Sequence, residues 1–97
     1  MQLNKQQRQH LVGLAHSRKP IVRIGQNGLT ENVLKEMDAA LKAHELVKVK
    51  IAGADKQSAT NIIGKIESAC ACESVQSIGH VAAFYRRNTK KPVIILP

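Results

Sequence analysis

The stretch Lys19-Pro20-Ile21-Val22-Arg23-Ile24-Gly25-Gln26-Asn27-Gly28-Leu29-Thr30 decides how this chain folds. Residues 20–24 have the β-branched, apolar composition of a short buried strand. Thr30 is a good helix N-cap and is followed by an amphipathic run. The two glycines at 25 and 28 permit a tight turn between strand and helix, and they let a large partner approach the main chain closely. The N–H groups that open the next helix favour an anion nearby.

Working outward, the flanking segments alternate between helix and strand. Residues 4–16 are predicted to form a helix that ends before Pro20, because the residue before a proline disfavours helical geometry. Residues 31–44 form a second amphipathic pattern, and residues 46–51 alternate as a half-buried strand does. The predicted core-facing stripe of the first helix is Leu3, Gln7, His10, Leu11 and Leu14.

The second half of the chain adds a third helix and a hairpin. A turn is predicted at residues 53–55, with Asp55 as the N-cap of a helix whose core stripe ends at Cys70. Residues 74–87 are β-rich, with a hairpin turn at Gly79-His80, and residues 88–91 form a basic loop. Residues 93–96 have the composition of a short edge strand.

This order, α-β-α-β-α-β-β, predicts an α/β fold: a two-layer sandwich in which helices cover one face of a small mixed four-stranded sheet. The first two strands, bridged by one helix, should be parallel with a right-handed crossover.

Length and composition indicate a single domain over residues 1–97. The apolar fraction of 43% supplies a core and excludes a disordered chain. No apolar run reaches the roughly 18 residues that a membrane helix needs, and the first ten residues lack the apolar segment of a secretory signal. Cys70 and Cys72 do not make a disulfide framework. We therefore expect a soluble cytoplasmic monomer with no membrane partner.

The distribution of charge is more informative than the net charge of +8. Residues 1–30 hold five cations and residues 74–97 hold four, with no carboxylate in either segment, whereas all seven acids lie between residues 31 and 73. If the two ends fold side by side, they make one positive face that attracts polyanions. A basic surface that is merely solvated is the alternative.

Candidate phosphate contacts are therefore the cations of the two ends. They are Lys5, Arg8, Arg18, Lys19, Arg86, Arg87, Lys90 and Lys91, and His16 is a further candidate for contact with a polyanion. Arg23 lies within a predicted strand, where it faces either the helices or solvent. Lys48 and Lys50 share one strand face, which is either a second contact with the polyanion or a solvated sheet surface.

Other chemistry finds little support in the sequence. Phe84 and Tyr85 are the only aromatic residues, so a stacking platform of several rings is excluded, and Tyr85 is better explained by packing. Cys70 and Cys72 have no zinc-ligand partners at suitable spacing, and no nucleotide-binding or nucleophile motif is present. The sequence predicts no metal, no cofactor, no small-molecule substrate and no catalytic site.

Three segments together resemble a known family. They are Gln9-His10-Leu11-Val12-Gly13-Leu14-Ala15-His16, the stretch 19–30 quoted above, and Glu45-Leu46-Val47-Lys48-Val49-Lys50. The pattern is similar to the CRM domain (chloroplast RNA splicing and ribosome maturation), and in particular to its bacterial stand-alone members, the YhbY family.

The resemblance implies an α/β fold like that of the C-terminal domain of translation initiation factor three. It also implies RNA binding through a GxxG loop, here Gly25, Gln26, Asn27 and Gly28, and association with precursors of the large ribosomal subunit. The implied basic surface beside the loop falls on Lys5, Arg8, Arg18 and Lys19. The neutral Gln26 and Asn27 can hydrogen-bond phosphate, ribose or a base edge.

The leading hypothesis is a non-catalytic protein that binds rRNA during assembly of the large ribosomal subunit. Two other classes are kept open. A protein-interaction adaptor would use the basic face to bind an acidic partner, and a small phosphate-ligand enzyme would show saturable nucleotide binding. A glycine loop that is only a strand-to-helix turn is the structural alternative to the functional interpretation.

Overall fold

Three helices and four strands make up the part of the chain that the structure, a computed structural model, describes: residues 2–53 and 55–97. The elements are α1 (Lys5–His16), β1 (Val22–Ile24), α2 (Glu31–His44), β2 (Leu46–Ile51), α3 (Lys56–Cys70), β3 (Glu73–Ile78) and β4 (Val81–Tyr85). The strands lie in the order β1-β2-β4-β3. The predicted α/β class, element order and mixed four-stranded sheet are confirmed.

Strand directions define two ends of the sheet. β1 and β2 are parallel, as predicted for strands bridged by one helix, and β4 is antiparallel to both β2 and β3. The glycine loop (Gly25–Gly28), the residues after Ile51 and the turn at Gly79-His80 therefore lie together at what we call the loop end. The start of β1, the start of β2 and the residues after Tyr85 lie at the opposite, tail end. The predicted turn at 53–55 includes Ala54, which is outside the described residues.

One face of the sheet is covered by α2 and α3. Alternate strand residues, such as Val47 and Val49, point to this face because successive side chains of a strand alternate. They meet Met37 and Leu41 of α2 together with residues of α3. The buried members of this cluster are Val22, Ile24, Met37, Leu41, Val47, Val49, Ile51, Ile66, Cys70, Ala82 and Phe84.

The other face of the sheet is partly covered by α1. The prediction that the helices cover one face therefore holds for α2 and α3 but not for α1. Leu11 and Ala15 of α1 are fully buried against Leu46, Ala83 and Tyr85, whose side chains alternate to this face. The buried cluster on this side is Leu3, Leu11, Ala15, Leu46, Val75, Ala83, Tyr85 and Ile94. Within the described residues, no helix is long and apolar enough to cross a bilayer.

Helix boundaries follow the caps that the sequence supplies. Thr30 and Asp55 accept hydrogen bonds from the N–H groups of Val33 and Ser58, as their predicted N-cap roles require. Asn4 caps α1, and Gln7 closes a reciprocal capping box with it.

The predicted core-facing stripe of α1 is partly wrong. His10 is exposed and Ala15 is buried, whereas Leu3 and Leu11 are buried as predicted. The small side chain of Ala15 lets the end of α1 approach β2 closely.

The C-terminal residues do not form the predicted edge strand. Residues 93–96 lie outside the sheet, although Ile94 is buried. The Glu45 carboxylate, which is fully buried, accepts hydrogen bonds of 2.6 Å from the backbone N–H groups of Asn88, Val93 and Ile94. The N–H groups at 93 and 94 are therefore bonded to a side chain instead of a neighbouring strand. We call this attachment the Glu45 clasp.

Glu45 itself has an unusual environment for a carboxylate. Burial alone raises its pKa, but the three backbone hydrogen bonds and the charge of Arg87 outweigh burial and leave the pKa below its ordinary value. Glu45 is the C-cap of α2. Its φ of 62° lies in the left-handed region, so the helix does not continue beyond it. The side chain is thus held charged at the tail end of the sheet.

Candidate nucleic-acid interface

The glycine loop is a closed turn on the surface. The N–H of Gly28 donates to the carbonyl of Gly25 at 3.0 Å, which makes residues 25–28 a β-turn. Gly28 has a φ of 69°, a conformation that glycine adopts without strain. Gly25, Gln26 and Asn27 are exposed. The predicted accessible loop therefore exists, and its shape is set by an internal hydrogen bond.

Backbone donors of the loop face solvent. Among the described residues, the N–H groups of Gln26 and Asn27 have no intramolecular acceptor. α2 begins directly after the loop, and α3 begins at the same end of the sheet, so the positive ends of two helix dipoles lie there. Two carboxylates, Glu31 in the first turn of α2 and Asp55 at the N-cap of α3, partly offset this potential.

The predicted cations come together, but at the other end of the sheet. Arg18 bonds to the carbonyl of Leu46 at the start of β2, and Arg86 follows β4 at the same end. Arg8 contacts Ser74 at the start of β3. The two acid-poor ends therefore fold side by side, as expected, while the glycine loop lies at the opposite end of the strands. This placement corrects the expectation that Lys5, Arg8, Arg18 and Lys19 lie beside the loop.

Three of the predicted arginines are bound within the protein. Arg8 forms an ion pair with Glu73 and donates to the carbonyl of Ser74. Arg18 donates to the carbonyl of Leu46 at 2.9 Å. Arg86 donates to Asp38 and to the carbonyl of Cys70, at 2.9 and 2.8 Å. These contacts give the three guanidinium groups structural roles, because each joins two elements of the fold.

The ion pair with Arg86 also affects Asp38. The hydrogen bonds from Arg86 and then from Lys42 hold the pKa of Asp38 below its ordinary value. Asp38 is half-exposed, so solvent screens much of this interaction.

The other predicted cations extend into solvent. They are Lys5, His16, Lys19, Arg87, Lys90 and Lys91, all of them exposed. The backbone N–H groups of Lys90 and Lys91 donate to the side-chain oxygen of Asn88 at 3.1 Å, and both lysine side chains are exposed. That any of these side chains touches RNA stays a prediction.

Two strand cations gain importance from the structure. Arg23 and Lys50 are exposed and occupy directly opposed positions on β1 and β2. Lys48, which shares their face, is half-buried and donates to the carbonyls of Ala15 and Arg18 at 3.1 Å. Lys48 therefore fixes the end of α1. Alternation in residues 46–51 predicted the shared face but not this division of roles.

The aromatic and thiol groups pack as predicted. Tyr85 is only 3% exposed, and burial raises its pKa, so its ring is not available for base stacking. Cys70, the last residue of α3, is buried in the hydrophobic core between the helices and the sheet. Burial raises the pKa of Cys72 to about 12, which leaves little reactive thiolate. Within residues 2–53 and 55–97, no cluster of three or more His, Cys, Asp or Glu side chains has metal-binding geometry.

Comparison with known proteins identifies the family. The sequence model of the CRS1/YhbY (CRM) domain matches residues 3–86, which includes every helix and strand of the fold. The chain belongs to the CRS1/YhbY (CRM) domain family. This confirms the resemblance carried by residues 9–50, and the match extends it through β4.

Individual relatives of this CRM domain protein cover most of its length. A Haemophilus influenzae protein named an RNA-binding protein is 49% identical over 87% of this chain and 85% of its own. A Pseudomonas aeruginosa protein named a probable RNA-binding protein is 38% identical over 93% of this chain and 86% of its own.

A solved structure agrees with the fold. The solution structure of a hypothetical Staphylococcus aureus protein with a suggested RNA-binding role has a TM-score of 0.85 and 32% identity. The match covers 99% of this chain and 100% of that protein. The arrangement of three helices on a four-stranded sheet is therefore shared by a chain of similar length.

Proposed function

We propose that this CRM domain protein is a non-catalytic RNA-binding protein that binds rRNA in precursors of the large ribosomal subunit. One observation carries the proposal: the exposed glycine loop before α2 is a closed turn, and among the described residues its middle N–H groups have no intramolecular acceptor. Such a loop places donors against a phosphate without a side chain between them, which is how GXXG loops clamp nucleic-acid backbone. The names of the relatives support RNA as the ligand.

Each part of the surface has a separate role in this proposal. The glycine loop, including Gln26 and Asn27, binds the RNA backbone. Exposed cations of the tail end attract the polyanion and extend the contact, and these are Lys5, His16, Lys19, Arg87, Lys90 and Lys91. Arg8, Arg18 and Arg86 hold elements in place and contact RNA at most secondarily. The association with large-subunit precursors rests on the family resemblance, and the protein acts as a cytoplasmic monomer.

Crosslinking in cells tests the RNA and its identity together. The protein is crosslinked to RNA, and the bound fragments are sequenced. We expect fragments concentrated in large-subunit rRNA, and co-sedimentation with ribosomal particles that nuclease treatment abolishes. Fragments spread over messenger RNA without enrichment in rRNA would refute the ribosomal part and leave RNA binding intact.

The exposed cations of the tail end also suit an acidic protein partner, because they lie away from the glycine loop. Arg87, Lys90 and Lys91 would form that contact in the adaptor alternative. Association with a soluble acidic protein that survives nuclease treatment would favour the adaptor over the RNA-binding function.

A further inference from the structure

A row of four side chains crosses the open part of the sheet. Strand register aligns Arg23 with Lys50, Lys50 with Val81, and Val81 with Ile78. Directly opposed residues project to the same face, so all four lie on the face that α1 partly covers. With neighbouring strands roughly 4.8 Å apart, the row spans about 14 Å. We call it the sheet row.

The sheet row lies near the loop end, beyond the reach of α1. Arg23 and Lys50 are exposed, Val81 is half-buried, and Ile78 is 64% exposed. The buried contacts of α1 are to residues nearer the tail end, such as Leu46 and Tyr85. The row is therefore a strip of surface with two cations on one half and two aliphatic side chains on the other.

The cationic half brings two like charges together on neighbouring strands. The charges repel each other, and water screens part of this repulsion because both side chains are exposed. Among the described residues, no carboxylate lies within ion-pair distance of Arg23 or Lys50. Lys19, Arg23 and Lys50 instead line one depression of about 360 Å³ that has no acidic residue in its wall. An anion in this depression would relieve the repulsion between the three cations.

The aliphatic half indicates which part of an RNA chain fits. Val81 and Ile78 present apolar side chains beside the cations. A base in a duplex has both faces stacked, so only an unpaired nucleotide can place a base face on such a surface. The combination of phosphate-binding and apolar halves therefore fits a single strand lying across the sheet.

We propose that the sheet row is a second RNA-contact site, which binds one unpaired nucleotide. Lys19, Arg23 and Lys50 hold its phosphate, and Val81 and Ile78 contact its base. The site rests on the proposed RNA-binding function. It joins the exposed cations of the tail end to the glycine loop, because residues 19–25 cover about 20 Å at ~3.3 Å per residue. A strand bound along this path contacts both ends of the sheet.

Binding to a fluorescein-labelled 12-nucleotide uridine oligomer tests the proposal. Arg23→Gln and Lys50→Gln should each weaken binding about tenfold, as loss of a hydrogen bond to a charged group does. Because the site binds one phosphate, the double variant should reduce the slope of log affinity against log salt by about 0.7, and each single variant should reduce it by less. Ile78→Ser should weaken binding about twofold with the slope unchanged, because an apolar contact releases no counterion. Melting temperatures of the two charge variants should stay equal or rise, since repulsion is removed.

Lys35→Gln is the matched control. Lys35 is exposed on α2, in the helical layer on the opposite face, and its replacement removes the same charge. An equal loss of affinity in Lys35→Gln would show a general charge effect and overturn the proposed site. Unchanged affinity and slope in Arg23→Gln and Lys50→Gln, with binding still lost in Gly25→Asp, would refute the sheet row alone. A folded wild-type protein that binds neither this oligomer nor an rRNA fragment would instead refute the proposed function.

Discussion

At the loop end of the sheet, the glycine loop is exposed and its middle N–H groups have no internal acceptor, whereas at the tail end polar groups are bonded to one another. There, Arg18 and Arg86 donate to backbone carbonyls, and Glu45 accepts three backbone N–H groups. The tail end holds many of the charged residues that the sequence made prominent.

This difference shows that charge and availability are separate properties of a surface. A guanidinium bonded to a carboxylate or carbonyl has to break that bond before it can contact a phosphate. Two backbone N–H groups in a closed turn carry no formal charge but are already oriented toward solvent. We therefore expect substitutions at the tail end to affect stability first, and substitutions at the loop end to affect RNA binding first.

Glu45→Gln should have the largest effect, and on stability. The amide oxygen can still accept the N–H groups of Val93 and Ile94, which share one carboxylate oxygen, but the NH2 group cannot accept the N–H of Asn88. A hydrogen bond to a charged group contributes about 1.5–3 kcal/mol, so a loss of about 3 kcal/mol is expected. Denaturant unfolding measures it, with Glu36→Gln on the exposed side of α2 as the control. Equal stability of the two variants would show that the Glu45 clasp contributes nothing.

The clasp also predicts an acid dependence. The pKa of Glu45 is lower in the folded protein than its ordinary value of 4.5. The carboxylate therefore contributes fully to the free energy of unfolding at a pH above 4.5. The contribution is then lost as the pH falls through the depressed folded pKa.

Gly25→Asp should have the next largest effect, and on RNA binding. The space that a Cβ atom at Gly25 would occupy is open, and the residue has no positive φ, so a side chain fits without strain. Aspartate would place a negative charge against the bound phosphate, and we expect affinity to fall about tenfold, or ~1.4 kcal/mol at a charged contact. Gly25→Asn is the neutral, isosteric control.

Filter binding to an rRNA fragment measures this loss. Equal affinity of the Gly25→Asp and Gly25→Asn variants would show that no phosphate binds at the loop. Gly28 is the poorer position for such a test, because its φ of 69° strains any other side chain.

Arg86→Gln and Arg87→Gln compare a bound arginine with its exposed neighbour. Loss of the contacts to Asp38 and Cys70 should lower stability by about 1 kcal/mol, less than the ~1.5–3 kcal/mol of a buried charged hydrogen bond, because Asp38 is half-exposed. Arg87→Gln removes only a charge interaction with the buried Glu45, so it should lower the melting temperature less than Arg86→Gln does. It should also reduce the salt dependence of RNA binding. The reverse pattern would contradict the division between bound and exposed cations.

Glu31→Gln should have the smallest effect, a gain in affinity. Glu31 lies in the first turn of α2, directly after the glycine loop, where it repels a phosphate at the helix N-terminus. Its removal should strengthen RNA binding about twofold, which is within the ~0.3–1 kcal/mol typical of charges near helix ends. Titration of the variant with RNA at low salt measures this gain. Weaker binding would show that the phosphate does not lie at the N-terminus of α2.

Local patterns predicted most of the fold. Alternation placed β2 at residues 46–51, and the polar N-caps Thr30 and Asp55 defined the starts of α2 and α3. These features depend on neighbours in the sequence, so a single chain is enough to recognise them.

Long-range contacts account for what the sequence did not predict. The apolar composition of residues 93–96 predicted a strand. The strand does not form because Glu45, more than forty positions earlier in the chain, accepts hydrogen bonds from backbone N–H groups of this segment. Lys48 was expected on an open face but caps the end of α1. For the candidate site, the exposure of the glycine loop was predicted, whereas the opposition of Arg23 and Lys50 depends on a register that no local pattern contains.

The Glu45 clasp also has a consequence for motion. One carboxylate protects the amides of Asn88, Val93 and Ile94, so these three protons should exchange with solvent deuterium as a single cooperative unit. Opening of that unit would also break the hydrogen bonds of Asn88 and Gln7 to the carbonyls of Lys42 and Pro97 and expose Ile94. We therefore expect the C-terminal segment to exchange as one local unit, separately from the central strands.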